Sequence, residues 1–280
     1  MQLPPIFLNL EAEEKEYFLS LAESREKELA LHENPGRLWE KDEKGKNWSN
    51  VTEHCLIEAA RVRALADLLG LESNVREELV SAAAVHDFYK KEEIRLTRED
   101  IAAGGSGRNG VFIAEGAGEK ILRAAGFSDT VISLSGHLTA DPKDVYYIKE
   151  ILDLPNLSSE NIAQLVMHYI DNYTCGSAWA EPAEHRGTIG TNDIDRRNNT
   201  NALNPTYEKM NREGLALNNG HPFFNGMTRF EAATALNHLI EKRFADIIRK
   251  RGGEISDPLD LPELVDTRVK ENIQRNSGLS

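Results

Sequence analysis

Apolar residues recur at helical spacing along nearly the whole chain, and no stretch alternates apolar and polar residues as a strand would. A chain patterned this way must bury stripes of helix surface against one another, so the expected fold class is all-α. Its 280 residues suffice for a full core. Over residues 11–32, Phe18, Leu21, Ala22 and Leu29 form one stripe opposite acids and lysines. A charged connector from Asn34-Pro35-Gly36 to Lys46-Asn47 precedes a helix over about Val51–Leu69, which Gly70 terminates. Asn74 and Glu77 offer a capping box for a helix that runs through Ala82-Ala83-Ala84-Val85 into His86-Asp87. Further helices are expected over 112–125, 129–138, 143–152 and 159–174. Thr228-x-x-Glu231 caps another, with Leu236, Leu239, Ile240, Phe244, Ile247 and Ile248 on one face before Gly252-Gly253, and Pro262 opens a last short helix.

Two stretches lack this period. Residues 100–110 are a glycine-rich loop without the lysine and serine of a phosphate loop. Residues 177–226 are rich in Asn, Gly, Arg and Pro, as expected of a lid or a long excursion over the core. Within that stretch His185, Arg186, Arg196, Arg197 and His221 either close over an anionic substrate or are solvated loop residues. These shifts divide the sequence into an N-terminal helix and connector (1–45), a central helical domain (46–180) and a C-terminal extension (181–280). The helices at 11–32 and 228–250 either pack on the core or join copies of the chain into a homo-oligomer.

The net charge of −13 argues against long nucleic acids, which need a basic surface, but leaves small anionic substrates open. Cys55 and Cys175 form no spacing motif and are expected to be reduced thiols. The start, Met1-Gln2-Leu3-Pro4-Pro5-Ile6-Phe7-Leu8, has no basic leader, and no apolar stretch is long enough to span a bilayer. A cytoplasmic location without membrane association is the expectation.

Chemistry concentrates in a few residues on separate helices. His86-Asp87 ends an apolar run, Lys90 lies about one helical turn further, His54 opens an earlier helix, and Asp171 sits on a later one. Taken singly, each histidine fits an ordinary core position. Asp87 is harder to explain as packing, because buried carboxylates need partners. Two imidazoles and two carboxylates, His54, His86, Asp87 and Asp171, suit a divalent Mn, Fe, Co, Ni, Zn or Mg ion, and the lack of thiolates argues against a structural zinc. Such an ion makes water nucleophilic near neutral pH and offsets phosphoryl charge, while the Lys90 ammonium is suited to hold a phosphate.

The pieces Asn50-Val51-Thr52-Glu53-His54, Ala84-Val85-His86-Asp87-Phe88-Tyr89-Lys90 and His168-Tyr169-Ile170-Asp171 resemble the HD-domain superfamily of metal-dependent phosphohydrolases over residues 45–180. The segment from Glu115-Gly116-Ala117 through Ile121-Leu122, Gly126-Phe127, Val131 and His137 is similar to the linker that carries further histidines in that superfamily. The start of the His54 helix is similar to the nucleoside 5′-monophosphatase branch. The resemblance implies an HD-type helical bundle acting on a nucleotide or other small phosphomonoester. It implies catalytic roles for Asp87, Lys90 and His137, with Glu115, His137 and His168 as positions for a second metal or for substrate. Glu115 stands where two-metal branches carry a histidine, which counts against a dinuclear site. The rival readings are a di-iron oxygenase related to myo-inositol oxygenase and a non-catalytic scaffold that binds a nucleotide or a partner protein.

Overall fold

A computed structural model describes residues 11–32, 51–136, 138, 142–174, 222–227 and 229–276 of the chain. Those residues form eleven α-helices and two short 310 turns, and no strand occurs among them. The protein is all-α. None of the described helices is long and apolar enough to cross a membrane. Contacts divide the chain into two units, each made of segments that are not consecutive in sequence. The first unit comprises Met1–Ala60, Glu77–Gly136 and Ile273–Ser280, and the second Arg61–Arg76 and His137–Asn272.

In the first unit, helix α1 (Ala12–Ser24) buries Tyr17, Phe18, Leu21 and Ala22 and opens on a reciprocal cap between Glu11 and Glu14. The stripe expected to be continuous over 11–32 breaks at Arg25, and α2 (Glu26–Leu29) resumes it. The Arg25 guanidinium bonds Glu77 of a neighbouring helix, a long-range contact that local periodicity does not reveal. Helix α3 (Val51–Leu68) is central: Cys55, Leu56, Ile57, Ala59, Ala60, Val62, Ala64, Leu65 and Ala66 are all fully buried. A helix that is apolar on all sides has to be surrounded by protein. Gly70, at φ +60°, ends it as expected, with the Leu71 N–H bonding the Ala66 carbonyl and the Gly70 N–H that of Asp67.

Helix α4 (Ser73–Val85) starts before Asn74, so the expected Asn74–Glu77 cap does not form; the Arg76 N–H bonds the Glu72 carbonyl. Its second half, Leu79 to Val85, is buried throughout. Helix α5 (Lys90–Ala102) was not legible from periodicity, since it buries no residue and is held by Glu92–Arg95 and Arg95–Glu99 pairs along its face. It packs closely on α6 (Arg108–Ala124): a Cβ at Gly110 would lie 2.4 Å from the Thr97 backbone nitrogen, so only glycine fits. The loop between them is the expected glycine-rich one, closed on itself by a 2.7 Å bond from the Gly107 N–H to the Asp100 carboxylate. Helix α7 (Asp129–Leu134) begins at a Ser128 cap and stops short of the expected 138.

The second unit contains the end of α3 and helices α8 (Pro142–Asp153), α9 (Ser159–Tyr173), α10 (Arg229–Lys250) and α11 (Leu261–Asn276). Ser158 and Asn161 cap α9 reciprocally. Helix α10 carries the expected face: Leu236, Ile240, Phe244 and Ile248 are buried, and it packs on α8 and α9. Helix α11 starts at Leu261, one residue before Pro262, where the first-turn position tolerates the missing N–H. The connector at 34–47, the segment 177–221, Thr228 and Cys175 lie outside the described residues.

One buried group gives this fold a pH signature. His32 is 3% exposed, and burial pushes its imidazole from the ordinary 6.5 down to about 4. Below pH 6.5 the unfolded chain takes up a proton that the folded chain refuses until about 4. Stability therefore falls as pH drops through that window, by up to about 3 kcal/mol. Glu53 and Glu241, which burial pushes up to about 8 and about 7, slope the opposite way, being favoured while protonated. The test is thus a difference: urea unfolding at pH 7 and pH 4.5 for wild type and His32→Gln. Wild type is expected to lose more stability on acidification than the variant, and equal losses contradict the assignment.

Candidate metal centre

Two helix positions one turn apart and the turn after α4 build the centre. His54 and Glu58 stand four residues apart on α3 and share a face. His86 sits in the turn following Val85, where α4 has ended. The His54 Nε2 lies 2.9 Å from Glu58 Oε1, and the His86 Nε2 lies 3.4 Å from Glu58 Oε2. The two imidazole rings are 5.3 Å apart between centroids. One carboxylate thus presents an oxygen to each histidine. One donor atom from each of His54, Glu58 and His86 lies within 4.8 Å of the other two.

This group could hold a metal ion. An ion with ligand bonds of about 2.1 Å separates adjacent donors by about 3 Å and opposite donors by about 4.2 Å. The 2.9 and 3.4 Å separations match adjacent positions. The donor set fits as well: nitrogen and carboxylate oxygen without sulfur suits Mn, Fe, Co, Ni or Zn. Glu58 is fully buried, and a buried carboxylate is costly without a cationic partner, which a divalent ion supplies. The His86 tautomer is also set for ligation. Its Nδ1 is 2.9 Å from the Ala83 carbonyl, which can only accept, so Nδ1 carries the proton and Nε2 keeps its lone pair facing Glu58.

Two of the four ligands expected from sequence, His54 and His86, are brought together, and Asp171 lies on α9 of the second unit. Asp87 is not in the group. Its Oδ2 lies 3.8 Å from His86 Nε2, and its Oδ1 lies 3.4 Å from the Lys90 ammonium, so it stands between the centre and the lysine. Lys90, the first residue of α5 and about one-third exposed, also lies 3.3 Å from Glu93. Loss of water pushes the Glu93 carboxyl up, opposed by Lys90. Glu115 is exposed on α6 and outside the group, and His168 is fully buried on α9 three residues before Asp171. His137 lies outside the described residues, as do His185, Arg186, Arg196, Arg197 and His221.

Glu58 is the residue that sequence reasoning missed. A signal was there: it stands in an uninterrupted apolar stretch, between Cys55-Leu56-Ile57 and Ala59-Ala60, one turn beyond a candidate ligand. A carboxylate on such a face needs a partner. Comparison with known protein families, with characterised proteins and with solved structures gives no match, so the functional reading rests on this geometry and on the sequence pattern.

Proposed function

We propose that the protein is a metal-dependent phosphohydrolase of the HD type, acting on a nucleotide or another small phosphomonoester. The observation that carries this reading is the convergence of His54, Glu58 and His86, with Asp87 and Lys90 beside it. When bound, a divalent ion would supply Lewis acidity, making water more acidic and compensating charge on a phosphoryl oxygen. The chain's own residues divide the remaining work. His54, Glu58 and His86 would hold the ion, with Asp171 as the further ligand that the sequence pattern implies. Asp87 lies 3.4 Å from the Lys90 ammonium, which it would orient, and would take a proton from the attacking water. Lys90 balances phosphate charge as a compact cation at the half-exposed edge of the site. The acidic surface repels long polyanions, so a small substrate is favoured over a nucleic acid.

The test is a screen of phosphorylated metabolites with Mn, Co, Ni, Mg and Fe, run on wild type, Asp87→Ala and Lys90→Met. Metal-stimulated phosphate release is expected, with turnover lost in Asp87→Ala and KM raised in Lys90→Met. Undiminished turnover in Asp87→Ala contradicts the assignment. Oxygen consumption by an iron-loaded protein that releases no phosphate would replace it with the oxygenase reading.

A further inference from the structure

We propose that His32 is a positioning residue of the metal centre, tying α3 to α4 at the turns from which His54 and His86 project. This rests on the reading of that group as a metal site. The His32 Nε2 lies 2.8 Å from the Ala84 carbonyl, and its Nδ1 lies 3.1 Å from the Thr52 hydroxyl. A carbonyl only accepts, so Nε2 is the donor, and Nδ1 accepts from Thr52. Burial holds the ring neutral well below pH 6, which keeps these roles fixed at neutral pH.

The placement is what matters. Thr52 is two residues before His54 in the first turn of α3, and Ala84 is two residues before His86 in the last turn of α4. Helix α4 ends at Val85, whose carbonyl takes the Phe88 N–H of the following turn. Two imidazoles bond the carbonyls just before it. His86 takes the Ala83 carbonyl with its own Nδ1, and His32, arriving from the turn after α2, takes the Ala84 carbonyl. His32 thus fixes the end of α4 against the start of α3 and sets how far the His86 Nε2 stands from His54 and Glu58. Ligand sets tolerate errors of only about 0.5 Å before affinity falls.

The experiment titrates metal-free protein with Mn2+ by calorimetry and records its melting curve, for wild type, His32→Leu, His32→Gln, Thr52→Val and Leu29→Ala. His32→Leu is expected to weaken Mn2+ binding about 10- to 100-fold. His32→Gln, whose amide keeps one donor and one acceptor, is expected to restore most of that loss. Thr52→Val keeps the shape of threonine and should weaken binding about 2- to 10-fold; it carries the test if His32→Leu does not fold. Leu29→Ala opens a cavity in the same segment, where Leu29 is fully buried, and should lower the melting point without changing Mn2+ affinity. Wild type that binds no Mn2+ removes the metal-site reading itself. Tight wild-type binding that His32→Leu and Thr52→Val leave unchanged overturns the positioning role alone, as does a His32→Gln as weak as His32→Leu. A Leu29→Ala as weak as His32→Leu also overturns it.

Discussion

Glu58→Gln is expected to abolish metal binding and turnover while leaving the metal-free fold intact. The substitution keeps the volume and shape of a fully buried side chain and removes only its charge. Both of its oxygens face imidazole nitrogens, at 2.9 and 3.4 Å, so an amide can still hydrogen-bond to neutral histidines. It cannot offset a divalent cation. The loss of affinity should exceed the roughly 10- to 100-fold that follows removal of a group outside the ligand set. Turnover should fall on the order of 10³-fold, about 4 kcal/mol of transition-state stabilisation. The melting point of the metal-free chain should move by no more than about 4 °C, on the order of 1 kcal/mol for a chain this size. Metal titration, a phosphate-release assay and a melting curve on one preparation check all three. A Glu58→Gln protein that binds metal like wild type contradicts the assignment of Glu58 as a ligand.

Asp266→Ala is expected to have the largest effect on stability. In the second unit the Arg61 guanidinium, 2% exposed, lies 3.0 Å from one Asp266 oxygen through Nε and 3.5 Å from the other through Nη2. The Tyr173 hydroxyl donates to Asp266 at 3.1 Å, and Arg61 donates to the Thr174 hydroxyl at 3.1 Å while its guanidinium lies over the Tyr173 ring. Every member of this network is buried and joins α3, the end of α9 and α11. Removing the aspartate leaves a guanidinium in the interior without its counter-charge, which costs about 3–5 kcal/mol. Replacing both partners together, Arg61→Met with Asp266→Leu, removes both charges and should recover most of that loss. Urea unfolding of the two single variants and the double variant measures it. A single variant that loses less than about 1 kcal/mol would mean that water reaches Arg61.

How much of this was legible in the sequence depended on how local the determining contacts are. The limits of α3 and α10 could be read because each is written into neighbouring residues: a long apolar period, then Gly70 or Gly252 at positive φ. Two of the three residues in the metal group, His54 and His86, could be read because an imidazole beside an apolar run has few other uses. Helix α5 could not, since it buries no residue, leaves no apolar period and packs through its close approach to α6. The break at Arg25 could not either, because what holds it is Glu77, distant in the chain. Glu58 was missed although its neighbours pointed to it. The His86-Asp87 pair points to the adjacent carboxylate; Asp87 lies 3.4 Å from Lys90, and the facing helix brings a second carboxylate, Glu58, to 3.4 Å from His86. His32 shows the same limit, since its value lies in joining Thr52 to Ala84.

The most direct test of the account is anomalous X-ray scattering from crystals of the cobalt-loaded protein. The account predicts one strong peak within ordinary coordination distance, about 2.0–2.4 Å, of the His54 and His86 Nε2 atoms and a Glu58 oxygen. A cobalt ion bound elsewhere on the chain, with none at these three side chains, contradicts it.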